Sequence, residues 1–429
     1  MIAMLSKICW AIATSFLIVG SIYFTGKLRF LQFRIKKIVR SVFTKDNEET
    51  GIKPLDTLML TLAGRIGVGS IAGIALAISL GGKGTLFWIW IMAILVASLG
   101  YSETVLAVIY RKKDGTVFLG GPSYYMRDGL GWKKIGGLYA ILILVSYIGG
   151  FLGVQANTIT KSLNSIVQVS PYFVALCLVV ITAFIIFGGI ERISYFTSKI
   201  VPIMSILYLG FVLFVIGKNI GIIPQIIKEI VGEAFHLSAF TSSFIPTLII
   251  GIQRGIFSSE AGLGTGSITA ATSSTSSPSS QGYLQILGIY ITSLLICSAT
   301  AFFVLTSNYQ SFLVSDLNGV ELVSYAFQFH FGNMGPYLLF FFILLFSFST
   351  ILTGYYDGES SLKYFSKNLK KSTLFLLKLT TLIMIFVGCI VSSTTLWNFV
   401  DLLVAWLAII NISALIALKK DIVFEAKQK

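Results

Sequence analysis

Long apolar runs, each near the ~20 residues that a helix needs to cross a bilayer, dominate the pattern of polar and hydrophobic positions along this chain. Eleven can be read, over residues 8–24, 58–80, 86–110, 135–159, 172–187, 196–216, 244–270, 283–305, 337–356, 374–391 and 396–418. Short polar segments carrying Gly and Pro separate them. The ten-residue alternation of a membrane barrel strand is absent, and inside hydrocarbon only helices or closed barrels satisfy every backbone group. The pattern predicts an all-α integral membrane protein of about eleven transmembrane helices.

Composition agrees. Of the 429 residues 55% are hydrophobic and 12% charged, with a mean hydropathy of +0.86, against roughly a quarter charged in soluble domains. The net charge of +14 would suit a nucleic-acid partner, but in a membrane protein the position of each basic residue carries the information. With the N-terminus outside, inward-facing segments hold 25 of the 32 Lys and Arg. Outward segments hold only Lys7, Lys83, Lys161, Lys218 and Lys228, and Arg65 and Arg254 fall within runs. This asymmetry accounts for the basic balance with the lipid bilayer and no nucleic acid as partner. It predicts a bacterial-type inner or plasma membrane, the N-terminus outside and the C-terminus cytoplasmic. The first run lacks a small-x-small cleavage site and precedes Lys27, Arg29, Arg34, Lys36, Lys37 and Arg40, so it reads as a retained span. Cys9, Cys177, Cys297 and Cys389 all lie inside runs, which argues against a disulfide framework or a metal cluster.

Two runs are interrupted by glycine in similar ways. The second reads Gly64-Arg65-Ile66-Gly67-Val68-Gly69-Ser70, and the seventh Gly251-Ile252-Gln253-Arg254-Gly255-Ile256-Phe257-Ser258-Ser259-Glu260-Ala261-Gly262-Leu263-Gly264. Each opens a set of five runs, and the two sets begin on opposite sides of the membrane. Two inverted repeats follow, 58–243 and 244–418, preceded by an extra helix and basic loop over 1–57 and followed by a cytoplasmic tail over 419–429. Glycine-broken helices in matching positions of inverted halves point to a transport site near the midplane. Unwinding at that depth frees amides and carbonyls, tolerable only beside a cavity or ligand. Freed amides at a half-helix N-terminus suit a carboxylate, and freed carbonyls suit a cation. A small neutral amino acid travelling with Na⁺ needs that set. Close packing of small residues is the alternative; one cluster fits it equally well, two matching clusters less so.

With these motifs the chain resembles the alanine/glycine:cation symporters, also called the sodium:alanine symporter family, from Thr25-Gly26 to about Leu418. The stretches that carry the resemblance are Gly67-Val68-Gly69-Ser70-Ile71-Ala72-Gly73, Gly120-Gly121-Pro122-Ser123-Tyr124-Tyr125, Val154-Gln155-Ala156-Asn157, Arg254 to Gly264, Phe348-Ser349-Thr350-Ile351-Leu352 and Gly358-Glu359. The resemblance implies a leucine-transporter-type fold of five-plus-five inverted repeats behind one extra helix. It implies Na⁺ as coupling ion with no other cofactor, and import of alanine, glycine or a larger neutral amino acid such as glutamine by alternating access. Substrate would lie between runs two and seven, at Gly67, Val68, Gly69, Ser70, Gln155, Phe257, Ser258, Ser259 and Gly354. Sodium would lie between runs two and nine, at Gly64, Gly67, Ser349 and Thr350. This chain departs from the family at Val68, Ser70 and Ser259, where Thr, Asn and Asn are usual, and at Gly354, where a tryptophan commonly faces the substrate. The missing ring predicts a wider pocket.

The residues themselves leave alternatives open. Ser349 and Thr350 can offer hydroxyls to a cation opposite the carbonyls near Gly64 to Gly67, or simply bond their own helix. Gln155, an amide in mid-run, needs partners: a substrate carboxylate, the unwound backbone of run two, or a neighbouring helix. Phe257, flanking the break with Ser258, is placed to lid a pocket or to pack. Arg65, Arg254, Glu103 and Glu260 are ionisable within runs, where each demands a partner; Glu260 and Arg254 are expected to neutralise one another or gate the inner pathway. Asp357 and Glu359 read as solvated or gate-forming. His236 and His330 fall in outside loops, and no H-E-x-x-H, G-x-S-x-G or phosphate-binding loop occurs. That disfavours an intramembrane enzyme or an ATP-driven pump and leaves a proton-coupled transporter of the same fold, or a channel, as alternatives.

Overall fold

The computed structural model describes residues 2–44, 49–235, 244–307, 319–366, 369–391 and 393–427. It opens with α1 (Ile2–Lys27) and the short α2 (Ile35–Ser41). α3 (Pro54–Arg65) and α4 (Val68–Gly81) form one broken unit, followed by α5 (Thr85–Ile109). An antiparallel hairpin of β1 (Lys112–Asp114) and β2 (Val117–Leu119), with Lys113 opposite Phe118, leads to α6 (Pro122–Leu130). α7 (Lys133–Ile143) and α8 (Leu152–Asn164) continue through wider π-type turns at Leu144–Phe151. α9 (Pro171–Ile186), α10 (Gly189–Lys218) and α11 (Ile223–Ala234) come next.

The second broken unit is α12 (Ile245–Ser259) with α13 (Thr265–Ala270). α14 (Pro278–Ile289) and α15 (Cys297–Leu305) are joined by π-type turns at Tyr290–Ile296. α16 (Gly319–Phe331), α17 (Gly335–Lys363), α18 (Lys371–Ile390), α19 (Ser393–Ala417) and α20 (Lys419–Lys427) complete the chain. Proline starts α3, α6, α9 and α14, a position where its fixed φ suits a helix and its missing N–H costs nothing.

Among the described residues eight helices are long and apolar enough to cross a membrane, or up to nine if the α3–α4 pair, bent by 40°, is one span. α9 is apolar but has 16 residues. The run 244–270 is two helices, the second only six residues long, around a loop. The expected loop around His330 holds a helix instead: His330 sits in the last turn of α16, its Nε2 3.2 Å from the Phe303 carbonyl. His236 and the basic residues Lys45, Lys367 and Lys429 lie outside the described residues.

The centre of the bundle is α5, packed on α1, α12 and α14. Of its apolar window 83% is buried, against 28% in α10 and α18. Those two are rim helices, and outward Phe184, Ile206 and Phe375 make an apolar perimeter that lipid, not water, would cover. Segments expected on the basic side meet one another: Lys363 pairs with Asp114 at 3.0 Å, Arg111 donates to the Thr275 carbonyl at 2.9 Å, and the Tyr110 hydroxyl donates to Asp421 at 2.7 Å. At the other end Lys83 pairs with Glu229.

Candidate functional site

The first break follows from the end of α3. Ile66 and Gly67 leave the helix, Gly67 in extended geometry at φ −119° and ψ −156°, and α4 restarts at Val68. The last carbonyls of α3 and first amides of α4 then have no helical partner. Two side chains from other helices answer them. The Thr350 hydroxyl on α17 lies 2.8 Å from the Ala63 carbonyl, with Ser349 3.4 Å from the same oxygen, and Gln155 Oε1 on α8 accepts from the Val68 N–H at 3.3 Å. Thr350 and Ser349 also sit 2.9 Å from the Phe346 carbonyl of their own helix, so each hydroxyl proton is shared or alternates between the two. All three residues are buried.

Only glycine fits between them. A Cβ at Gly67 would lie 2.7 Å from Thr350 Oγ1 and 3.2 Å from Gln155 Oε1. Beside Gly69 the opposite holds, with no atom within 4 Å of where a Cβ would stand. Ser70 closes the turn, its hydroxyl 3.3 Å from the Arg65 carbonyl. A Cβ at Gly64 would stand 3.3 Å from Thr353 and 3.8 Å from Glu260 Oε2. Hydroxyl and carbonyl oxygens are hard neutral donors of the type a small alkali cation takes, and the N-terminus of α4, with open space beside it, can take a carboxylate.

The second break, between α12 and α13, is longer and differently held. Glu260, Gly262 and Gly264 have φ of 51°, 85° and 89°, the left-handed region glycine enters freely and other residues rarely. Glu103 of α5 accepts from the Gly262 and Gly264 N–H groups and from Asn411 Nδ2 of α19, each at 3.1 Å. Asn411 also donates to the Gly262 carbonyl at 3.0 Å, and the Tyr139 hydroxyl to the Leu263 carbonyl at 2.5 Å. Glu260 accepts from Tyr147 at 3.1 Å and from Thr265 at 3.2 Å.

The other sequence-singled residues fall as follows. Ser258 lies 2.9 Å from Ser293 and Ser259 donates to the Ile256 carbonyl at 3.1 Å. Phe257 has its ring 5.8 Å from Trp10 of α1 and 5.8 Å from Trp397 of α19, and Arg254 stands over both Phe257 and Trp397. The expected Glu260–Arg254 neutralisation is not what the chain does. Arg65, not Arg254, is the cation whose charge acts on Glu260 and Glu103, and the charge acting on Arg254 is that of Asp401. Nor is Asp357 solvated: it is buried, with Oδ1 lacking a hydrogen-bond partner. Glu359 instead joins an ion network, accepting from Tyr355 at 2.6 Å and pairing with Lys363 at 3.3 Å.

At Gly354 there is no vacant hollow. A Cβ there would lie 2.7 Å from Leu152 and 3.2 Å from Tyr147, so the room of a missing indole is filled from α8 and the π-type turns. Sequence reasoning singled out Glu103 as a mid-run carboxylate but not its loop, and it missed Asn411, Tyr139, Tyr147 and Thr353; Asn411, an amide in an apolar run, was the available signal. A cavity of about 670 Å³ between α2 and the loop before α14, lined by Lys37, Arg40 and Tyr283 among others, lies away from both breaks.

Comparison with known proteins agrees with this geometry. The model of the sodium:alanine symporter family matches residues 1–428. "Probable sodium/glutamine symporter GlnT" of Bacillus subtilis is 36% identical over 94% of this chain and 84% of its own length. Amino-acid carrier protein AlsT of the same organism is 34% identical, with 98% and 89% covered. Sodium/alanine symporter AgcS of Methanococcus maripaludis is 31% identical, with 95% and 91% covered. The broken helices, the apolar perimeter and a family match over nearly every residue lead to one conclusion: the chain is a multi-pass membrane transporter, not an enzyme, and belongs to the sodium:alanine symporter family.

Proposed function

We propose that this protein imports a small neutral amino acid together with Na⁺ by alternating access, through eleven spans arranged as α1 followed by two inverted sets of five. The sets are α3–α4, α5, α7–α8, α9 and α10, then α12–α13, α14–α15, α17, α18 and α19. Packing in related pairs favours the inversion: α12 lies on α5 as α4 lies on α15, and α8 lies on α18 as α17 lies on α9. On the positive-inside rule the basic end is cytoplasmic in a bacterial-type inner membrane, with the N-terminus outside.

The observation that carries the reading is the first break, where Thr350 and Ser349 crowd the Ala63 carbonyl and Gln155 takes the Val68 amide. Sodium would enter among those oxygens, displacing the hydroxyl hydrogen bonds. The substrate carboxylate would meet the amide end of α4, with its side chain in the space beside Gly69. Alanine and glutamine, named for the relatives AgcS and GlnT, are the first substrates to try. Uptake of labelled amino acids into proteoliposomes is expected only with an inward sodium gradient; uptake driven equally by a proton gradient in sodium-free buffer would overturn sodium coupling. That second reading draws on one observation, the unpartnered buried oxygen of Asp357.

A further inference from the structure

Glu103 stands in the last third of α5, fully buried, where an ionisable side chain is expensive and rarely idle. Its Oε2 gathers three N–H donors, two of them backbone amides of the loop that breaks α12 from α13. The amides of Gly262 and Gly264, on alternate residues that are both left-handed, converge on one point, as oriented amides do where a backbone concavity takes an anion, and a free carboxylate could occupy that point. Here an acceptor is already present, the Glu103 carboxyl, covalently part of α5, with its other oxygen Oε1 buried and without a hydrogen-bond partner. Asn411 bridges the same carboxylate to the Gly262 carbonyl, and Tyr139 takes the next carbonyl. Glu103 therefore satisfies the donors of a segment whose acceptors are satisfied from α19 and α7.

We propose that Glu103 is the positioning residue of the second break: its carboxylate occupies the Gly262 and Gly264 amides as a built-in anion, holding that loop in register and directing a substrate's carboxylate to the amide end of α4 instead. The transport consequence rests on the sodium-coupled amino-acid reading; the loop-holding does not. A substrate carboxylate at the second break would compete with Glu103 for the same two amides, and Glu103, tethered and pre-aligned, has the higher effective concentration. Glu260, the other carboxylate at this break, is turned to Tyr147 and Thr265 and leaves those amides alone.

The test uses the full-length protein in proteoliposomes, with E103A and the milder E103Q. In E103A, hydrogen–deuterium exchange over residues 257–267 should accelerate about tenfold, the loss expected when charge-assisted bonds to amides are removed, while residues 68–76 of α4 stay as in the parent. Formate, a free carboxylate able to enter the vacated amides, should restore protection. E103Q, which keeps an acceptor oxygen but not the charge, should fall between. For alanine uptake KM should rise about tenfold with the maximal rate within about twofold, the sign of lost positioning rather than lost protein. Unchanged exchange at 257–267, or acceleration across the whole chain that formate does not reverse, overturns the proposal. If E103A does not reconstitute, E103Q decides by the same exchange measurement. A parent protein without sodium-driven amino-acid uptake overturns the transport reading alone, and the exchange arm then judges Glu103 by itself.

Discussion

The two breaks are alike in glycine content and opposite in how they are held. The first is two residues long, contains no left-handed residue, and has its freed backbone groups answered by the neutral side chains of Thr350, Ser349 and Gln155. The second runs from Glu260 to Gly264, has three left-handed residues, and has its amides and carbonyls tied by Glu103, Asn411 and Tyr139. A break answered by hydroxyls and an amide can exchange those partners for an ion or a substrate at small cost, since each neutral hydrogen bond nets only about 0.5–1.5 kcal/mol. One tied by a buried carboxylate cannot be emptied so cheaply. The difference teaches that two glycine-rich breaks with similar sequence need not be held alike: on the proposed reading the first is the one that can exchange its partners for a ligand, and the second is the one that stays tied.

Gly67→Ala should break the comparison most severely. Its Cβ would stand 2.7 Å from Thr350 Oγ1, overpacking that typically costs about 1–3 kcal/mol and here falls on the hydroxyl proposed to meet the ion. Sodium-driven uptake should drop by a factor of about 10²; uptake within twofold of the parent would remove Gly67 from the site. Gly69→Ala, next to open space, should keep the fold and instead favour smaller substrates.

The next effect is smaller and more specific. Thr350→Ala removes a hydroxyl from the Ala63 carbonyl and should raise the sodium concentration for half-maximal uptake. By reciprocal linkage, substrate affinity at low sodium should weaken by the same factor, typically about 5–150-fold. Thr350→Ser should restore both. Sodium dependence identical to the parent would leave Thr350 a packing residue that bonds Phe346.

Gly354 sharpens the contrast between what was readable and what was not. A missing tryptophan predicted room, but Leu152 and Tyr147 fill it. Gly354→Ala should therefore lower the melting temperature through overpacking of about 1–3 kcal/mol, and Leu152→Ala in the same chain should return part of it. Equal melting of Gly354→Ala and parent would show that the neighbours yield freely.

The apolar runs and the two glycine clusters were legible because lipid imposes length and unwinding imposes glycine. Ser349 and Thr350 were legible as partners of the end of α3 through the family resemblance; the residues alone left bonding to their own helix open, and both hydroxyls reach the Phe346 carbonyl as well as the Ala63 carbonyl. What was not legible is which distant group meets which. Glu103 binds a loop about 160 residues away in sequence through backbone atoms that carry no side-chain signature. The partners of Glu260 could not be read either, since its carboxylate accepts from Tyr147, 113 residues away in sequence, and from Thr265 beyond the turn, rather than meeting Arg254 on its own run. Nor did an absent ring reveal that Leu152 fills its place, because filling depends on how α8 and α17 approach.

The central claim, that ligand binds at the first break, is tested most directly by a cysteine at Gly69 in a background lacking Cys9, Cys177, Cys297 and Cys389. The rate of its modification by a small thiol reagent is measured with sodium, with alanine or glutamine, and with both. Binding beside α4 predicts that sodium and amino acid together slow the modification, while the amino acid without sodium does little. A modification rate unchanged by the pair, in a variant that still takes up the amino acid, would contradict the account.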